Sequence, residues 1–125
     1  MADKSYNPHP LLFQGGGSCP VQYEVDYENH NYYVRYRSSW LSVTQDIDTA
    51  DMEIFTQQLS TDALDGFWSA EATNVYLALI GRAIVDDELK TLSLPWKHEI
   101  RNHPLYGKGP YDGYDPKNGD GPRPG

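Results

Sequence analysis

An alternation of apolar and polar residues constrains the fold of this chain more than any other feature of its sequence. The apolar positions of this run are Cys19, Val21, Tyr23, Val25 and Tyr27. Successive side chains of a β-strand point to opposite faces, so the run predicts a strand with one buried face. Residues 28–31 then supply turn-forming side chains, and a second strand is predicted from Tyr32 to Val43. We therefore expect an antiparallel β-hairpin.

The apolar pattern of the second predicted strand changes phase at Ser38-Ser39. Apolar residues occupy even-numbered positions up to Tyr36 and odd-numbered positions from Leu41 onward. A β-bulge inserts one extra residue and would restore a single apolar face. We therefore predict a continuous strand with a bulge at the two serines.

Residues 49–59 fit two kinds of secondary structure. The apolar residues at helical spacing are Met52, Phe55 and Leu59. Asp48 or Thr49 could cap such a helix, and acidic residues in its first turn would complement the helix dipole. The alternation from Met52 to Thr56 equally fits a third strand. We favour the helix.

The clearest helical pattern runs from Ala70 to about Leu92, after Ser69 as the capping residue. Its predicted buried stripe is Ala72, Val75, Tyr76, Leu79, Ala83 and Ile84. The predicted fold class is therefore α+β. We expect an N-terminal antiparallel β-hairpin, or three strands if residues 49–59 are extended, packed on one long helix.

The 125 residues are enough for one domain with a modest core. We predict a flexible N-terminal arm (residues 1–18), a single α+β domain (19–106) and a tail rich in Gly, Pro and Asp (107–125). Cys19 is the only cysteine, so no disulfide can form within the chain. The longest apolar stretch, Val75 to Val85, is far too short to span a bilayer, and the N-terminus lacks a signal-peptide pattern. We therefore expect a cytoplasmic protein.

Four segments carry a recognisable pattern. They are Gly16-Gly17-Ser18-Cys19-Pro20-Val21-Gln22, Tyr32-Tyr33-Val34-Arg35-Tyr36-Arg37, Trp40-Leu41-Ser42 and Tyr106-Gly107-Lys108-Gly109-Pro110-Tyr111-Asp112. Together they resemble a hairpin and closing segment of small phage and mobile-element proteins of unknown function. Those proteins usually carry Asp-Gly at the turn, where this chain has Asn29-His30-Asn31. The resemblance implies a mobile-element origin and no particular activity.

Groupings that could support catalysis or metal binding are incomplete. His98 and His103 lie five residues apart, whereas the zinc-protease motif places its histidines four apart on one helix face. Asp86, Asp87 and Glu88 are consecutive, so on a helix they would fan around its circumference instead of converging on a cation. Cys19 is predicted to be a buried structural thiol. We therefore expect a protein that is not an enzyme and holds no cofactor or metal.

The negative charge of the chain is concentrated between residues 24 and 65, which carry nine acidic and two basic residues. The two basic residues, Arg35 and Arg37, are predicted to pair across the hairpin with Glu24 or Asp26. Direct nucleic-acid binding is disfavoured, because it depends on a basic field. Carboxylates together with exposed Tyr instead suit a basic protein partner. The predicted partner-binding residues are Glu24, Asp26, Glu28, Tyr32, Tyr33, Asp46, Asp48, Asp51 and Glu53.

These features predict a non-enzymatic protein-binding inhibitor or modulator of phage or mobile-element origin. Its partner would be a host protein with a basic, nucleic-acid-binding surface, such as a nuclease or a CRISPR effector. The alternative hypothesis is a virion structural or assembly protein that forms a homo-oligomer through its Tyr-rich strand. Neither hypothesis involves a membrane.

Overall fold

The structure, a computed structural model, describes residues 8–17, 21–47 and 50–111. In this part of the chain, a five-stranded antiparallel sheet packs one face against a single α-helix. The strands follow one another in space as they do in sequence, with β1 and β5 at the edges. The elements are β1 (Gln14–Gly16), β2 (Val21–Tyr27), β3 (His30–Arg37), β4 (Trp40–Ile47), β5 (Ala50–Gln58), α1 (Ala70–Val85) and two 3₁₀ helices (Leu89–Thr91 and Lys97–Asn102).

The prediction of a hairpin packed on one long helix is wrong, because strands dominate the fold. The predicted strand from Tyr32 to Val43 is in fact two strands, joined by a two-residue turn at Ser38 and Ser39. Both serines have positive φ (55° and 68°), as the tight turn of a hairpin requires. The turn reverses the chain, so the phase change marks a strand end and there is no bulge at the serines.

The favoured helix over residues 49–59 is also wrong, since β5 pairs with β4 along its length. A register shift between Val43 and Thr44 leaves Ile54 without an opposite residue. This is the bulge of the sheet, and it places Met52 and Phe55 on the same face at a spacing of three residues. The bulge therefore gives a strand the three-residue apolar spacing that is typical of a helix, which explains why a helix was predicted. Asp48 and Thr49, the predicted caps, lie outside the described residues.

The core lies between α1 and the sheet face that we call the inner face. Val34, Tyr36, Leu41 and Val43 are fully buried on that face, opposite helix residues that include Val75, Tyr76 and Ile80. The predicted cap is confirmed, because the hydroxyl of Ser69 accepts a hydrogen bond from the backbone N–H of Ala72 at 3.1 Å. The helix ends at Val85 and not near Leu92, because Asp87 adopts a left-handed conformation (φ 57°) that turns the chain away.

A polar cluster fastens the segment before α1 to the sheet. The hydroxyl of Tyr36 donates to Asp65 Oδ2, and Lys97 Nζ lies 2.7 Å from the same oxygen. The ring of Trp68 stacks between those of Tyr36 and Tyr76, with centroids 5.4 and 4.9 Å away. This cluster anchors Asp65 and Trp68, in the segment between β5 and α1, to the core.

Parts of the predicted arm and tail pack on the domain. Phe13 is buried, and its backbone N–H donates to the hydroxyl of Tyr111 at 2.7 Å. Gln14–Gly16 forms β1 beside β2. Residues 1–7, 18–20 and 112–125, which include Cys19, lie outside the described residues.

Candidate docking surface on the outer face of the sheet

The sheet face opposite α1, which we call the outer face, carries the charged residues singled out from the sequence. The large apolar side chains that α1 and the two 3₁₀ helices bury belong to the same core cluster as the inner-face residues. Within the described residues, no helix therefore covers the outer face. Its side chains are polar, charged or aromatic, and they are arranged in rows by the strand register.

Two rows form the acidic end of the outer face. One contains Asp26, Asn31 and Asp46, with Asp51 paired to Asp46 in the register. The next contains Glu24, Tyr33, Thr44 and Glu53. Neighbouring strands lie about 4.8 Å apart and alternate residues along a strand about 6.8 Å apart. The carboxylates of Glu24, Asp26, Asp46 and Glu53 thus share one end of the outer face, spread over strands β2, β4 and β5.

The carboxylates of the acidic end are held by uncharged donors. The side-chain amide of Asn31 donates to Glu24 Oε1 at 3.3 Å and to Asp26 Oδ1 at 2.9 Å. Asp46 Oδ1 accepts from the backbone N–H of Asn31 at 2.7 Å and lies 3.7 Å from His30 Nδ1. In the part of the chain that the structure describes, no Lys or Arg nitrogen lies within 4.0 Å of these carboxylates or of Glu53. Their charge is consequently available to a partner.

The remaining predicted binding residues have different positions. Glu28 is exposed in the turn between β2 and β3, beyond the acidic end. Tyr32 belongs to the inner face, where it is only 8% exposed and its hydroxyl accepts a hydrogen bond from Gln45 Nε2. Burial there raises the pKa of Tyr32. A partner on the outer face cannot reach this side chain, because Tyr32 and Tyr33 point to opposite faces of one strand. Asp48 lies outside the described residues.

Two further rows form the basic end of the outer face. One contains Gln22, Arg35, Ser42 and Thr56, and the other contains Arg37, Trp40 and Gln58. Side chains of these rows, together with Glu53, line a hollow of about 210 Å³. Trp40 is 50% exposed there. Trp40 was not among the binding residues predicted from the sequence. A turn at the two serines would have placed it opposite Arg37.

The predicted ion pairs of Arg35 and Arg37 with Glu24 or Asp26 are not formed. The register explains this, because Arg35 lies opposite Gln22 while Glu24 lies opposite Tyr33. Acidic and basic residues are therefore displaced from each other by one row. Arg35 Nε is shielded from solvent and has no acceptor among the described residues.

Within residues 8–17, 21–47 and 50–111, no three His, Cys, Asp or Glu side chains come together as metal ligands would. In those ranges no helix has both the length and the apolar character needed to cross a membrane. His103 accepts a hydrogen bond from the backbone N–H of Leu105, and His98 lies 3.9 Å from Glu99.

Comparison with protein-family models, curated proteins and solved structures finds no match to this chain.

Proposed function

We propose that this protein is a non-enzymatic inhibitor or modulator, of phage or mobile-element origin, that acts in the cytoplasm of a host cell. Its acidic end would bind the basic surface with which a host protein holds nucleic acid. The proposed host protein is a defence nuclease, for example a CRISPR effector. The observation that carries the proposal is a set of carboxylates on one face that, among the described residues, no helix covers and no Lys or Arg pairs with.

The electrostatics of the chain favour this kind of partner. A net charge of −8 attracts a basic protein over a long range and speeds its association. Carboxylates that form no ion pair within the described residues bind a partner at a lower cost in free energy, because no existing ion pair has to be broken. Tyr33 lies in one row with Glu24 and Glu53 and adds an aromatic contact of the kind enriched at interface centres.

The shape of the outer face also favours a protein partner. Sites for small substrates are usually concave and bury most of the bound molecule. Apart from the hollow at its basic end, the outer face is a sheet surface, and its side chains project from strands held in place by backbone hydrogen bonds. Such a surface loses little conformational entropy when it docks against a second protein.

The test compares two triple variants in capture from a bacterial lysate. E24Q/D26N/E53Q removes three of the carboxylates of the acidic end, and D87N/E88Q/E99Q removes the same charge from exposed positions elsewhere. At about 0.7 kcal/mol for each exposed charge pair, the first variant should weaken binding roughly 30-fold. The control should bind almost as tightly as the unmodified protein.

The captured protein should bind nucleic acid, and excess inhibitor should displace that nucleic acid. The complex should weaken as salt rises from 50 to about 500 mM, because added ions screen exposed charges. A complex that is insensitive to salt, or an equal loss of binding in both variants, would contradict the proposal.

A self-associating virion component remains the second candidate, and one observation favours it. β5 is an edge strand, and an edge strand leaves one row of backbone groups open to pairing with another chain. The Tyr-rich strand β3, by contrast, lies in the middle of the sheet with both edges already paired. Sedimentation of the isolated protein separates the candidates, since a monomer at high concentration disfavours assembly.

A further inference from the structure

The basic end of the outer face has no role in the function proposed so far. Arg35 and Arg37 lie in a protein with 18 acidic and 10 basic residues, yet neither forms an ion pair with the described part of the chain. Acidic residues are abundant in the adjoining rows, so the separation results from the strand register and not from a lack of partners. The guanidinium groups therefore keep their hydrogen-bonding capacity for a molecule outside this chain.

The side chains around the two arginines define the chemistry of that molecule. Guanidinium groups form paired hydrogen bonds with carboxylates, and Arg and Trp are common at the centres of protein interfaces. Trp40 is half exposed beside the arginines, and Ser42 and Thr56 add hydroxyl groups to the same hollow. Glu53 borders the hollow on the side of the acidic end. An anion would thus bind near the arginines, with a cation next to it at Glu53.

We propose that the basic end binds a carboxylate side chain of the same partner whose basic surface meets the acidic end. This inference rests on the proposed function and makes the docking surface bipolar. The partner would carry an Asp or Glu about 7–14 Å from the centre of its basic patch, the distance that separates one or two rows. Two opposite contacts on one face would fix the orientation in which the partner docks.

Charge complementarity favours a protein over the other molecules that could occupy this end. A nucleic acid offers anions to the arginines, but it would also bring phosphates against the carboxylates one row away. A protein surface can present both charges within the required distance. A second copy of this chain is the other candidate, since a two-fold axis could place each acidic end over the basic end of its partner.

The test uses two synthetic peptides and the full-length protein. The first is hexalysine followed by four glycines, and the second is hexalysine followed by two glycines and two glutamates. Coulombic attraction to a protein of net charge −8 favours the first peptide, which has the higher positive charge. The proposal predicts the opposite order, with the glutamate-bearing peptide binding about fivefold tighter. It should also change the fluorescence of Trp40 and shift backbone amide resonances of both ends.

The variant R35Q/R37Q supplies the decisive comparison. It makes the net charge −10, two units more negative than the −8 of the unmodified protein, so net charge alone predicts tighter binding of both peptides. We expect it instead to abolish the advantage of the glutamate-bearing peptide. The control K90Q/R101Q makes the same charge change at exposed sites away from the outer face and should keep that advantage. R35K/R37K retains the charge but not the planar, paired donors of guanidinium, so the advantage of the glutamate-bearing peptide should be reduced in this variant.

The outcomes separate this inference from the proposed function. If both peptides bind at the acidic end and the glutamates weaken binding, the inference fails while the proposed function stands. If neither peptide binds, both fail. Arginine-dependent binding of a short oligonucleotide, or a dimer in sedimentation that R35Q/R37Q dissociates, would overturn the inference in favour of a nucleic acid or a second copy. Amide spectra of each variant verify that its fold is intact.

Discussion

Replacing Lys97 with methionine should destabilise the fold by about 2–3 kcal/mol, because it leaves Asp65 without its cation. Lys97 Nζ lies 2.7 Å from Asp65 Oδ2, and the two side chains are only 23% and 17% exposed. Breaking a fully buried ion pair by removing one partner costs roughly 3–5 kcal/mol. The remaining access to water and the hydroxyl of Tyr36, which still donates to Asp65, reduce that cost. For a domain of this size, the melting temperature should fall by about 10 °C.

Calorimetry and urea unfolding would measure the effect of K97M against two controls. K90M removes an exposed lysine, and it should change the free energy of unfolding by less than about 0.5 kcal/mol. D65N/K97M removes both charges, and it should be more stable than K97M because no unpaired carboxylate remains. Two results would refute this prediction. In the first, K97M lowers the free energy of unfolding no more than K90M does. In the second, D65N/K97M is less stable than K97M by as much as K97M is less stable than the unmodified protein.

Two further predictions concern pH and the first strand. Burial raises the pKa of Tyr36 and Tyr76 above the ordinary value of 10.0. Their contribution to stability is therefore complete below pH 10 and is lost above it, as the unfolded chain releases phenol protons that the folded chain retains. Above pH 10, each of the two tyrosines should lower the free energy of unfolding by about 1.4 kcal/mol per pH unit. Urea unfolding at several pH values would measure this slope, and Y76F should remove the part that Tyr76 contributes. A slope unchanged in Y76F would contradict the prediction. Gly15→Ala should detach β1, because a Cβ there would lie 2.1 Å from the carbonyl oxygen of Gln22, whereas Gly16→Ala meets no atom within 4 Å. Both residues have positive φ, so each variant should lose about 1–3 kcal/mol from backbone strain, and only the first should expose the β1 amides to rapid hydrogen exchange; equal exchange in both would refute the steric argument.

The elements with local signals could be predicted from the sequence, and those fixed by distant contacts could not. The alternation that ends at Tyr27 predicted β2, and Ser69 predicted the start of α1. The turn at Ser38 and Ser39 gave no such signal, since turns of this type usually contain Asn-Gly or Asp-Gly. Its positive φ angles are supported by two tertiary hydrogen bonds. Ser39 donates its N–H to the carbonyl of Asp65 at 2.7 Å, and its carbonyl accepts from the N–H of Leu59 at 2.9 Å.

On the outer face, too, some features could be predicted from the sequence, whereas others depend on the strand register. Composition showed that acidic residues are concentrated between residues 24 and 65, and alternation placed Glu24 and Asp26 on one face of β2. Whether Arg35 forms an ion pair depends on which residue lies opposite it. A shift of two residues in the pairing of β2 with β3 would place Glu24 opposite Arg35 instead of Gln22. The tight turns fix that register. The register that gathers the carboxylates thus also separates them from the arginines, so a single cause accounts for both ends of the outer face. A substitution that lengthened the β2–β3 turn and slipped the register by two residues should therefore create internal ion pairs and weaken partner binding at both ends together.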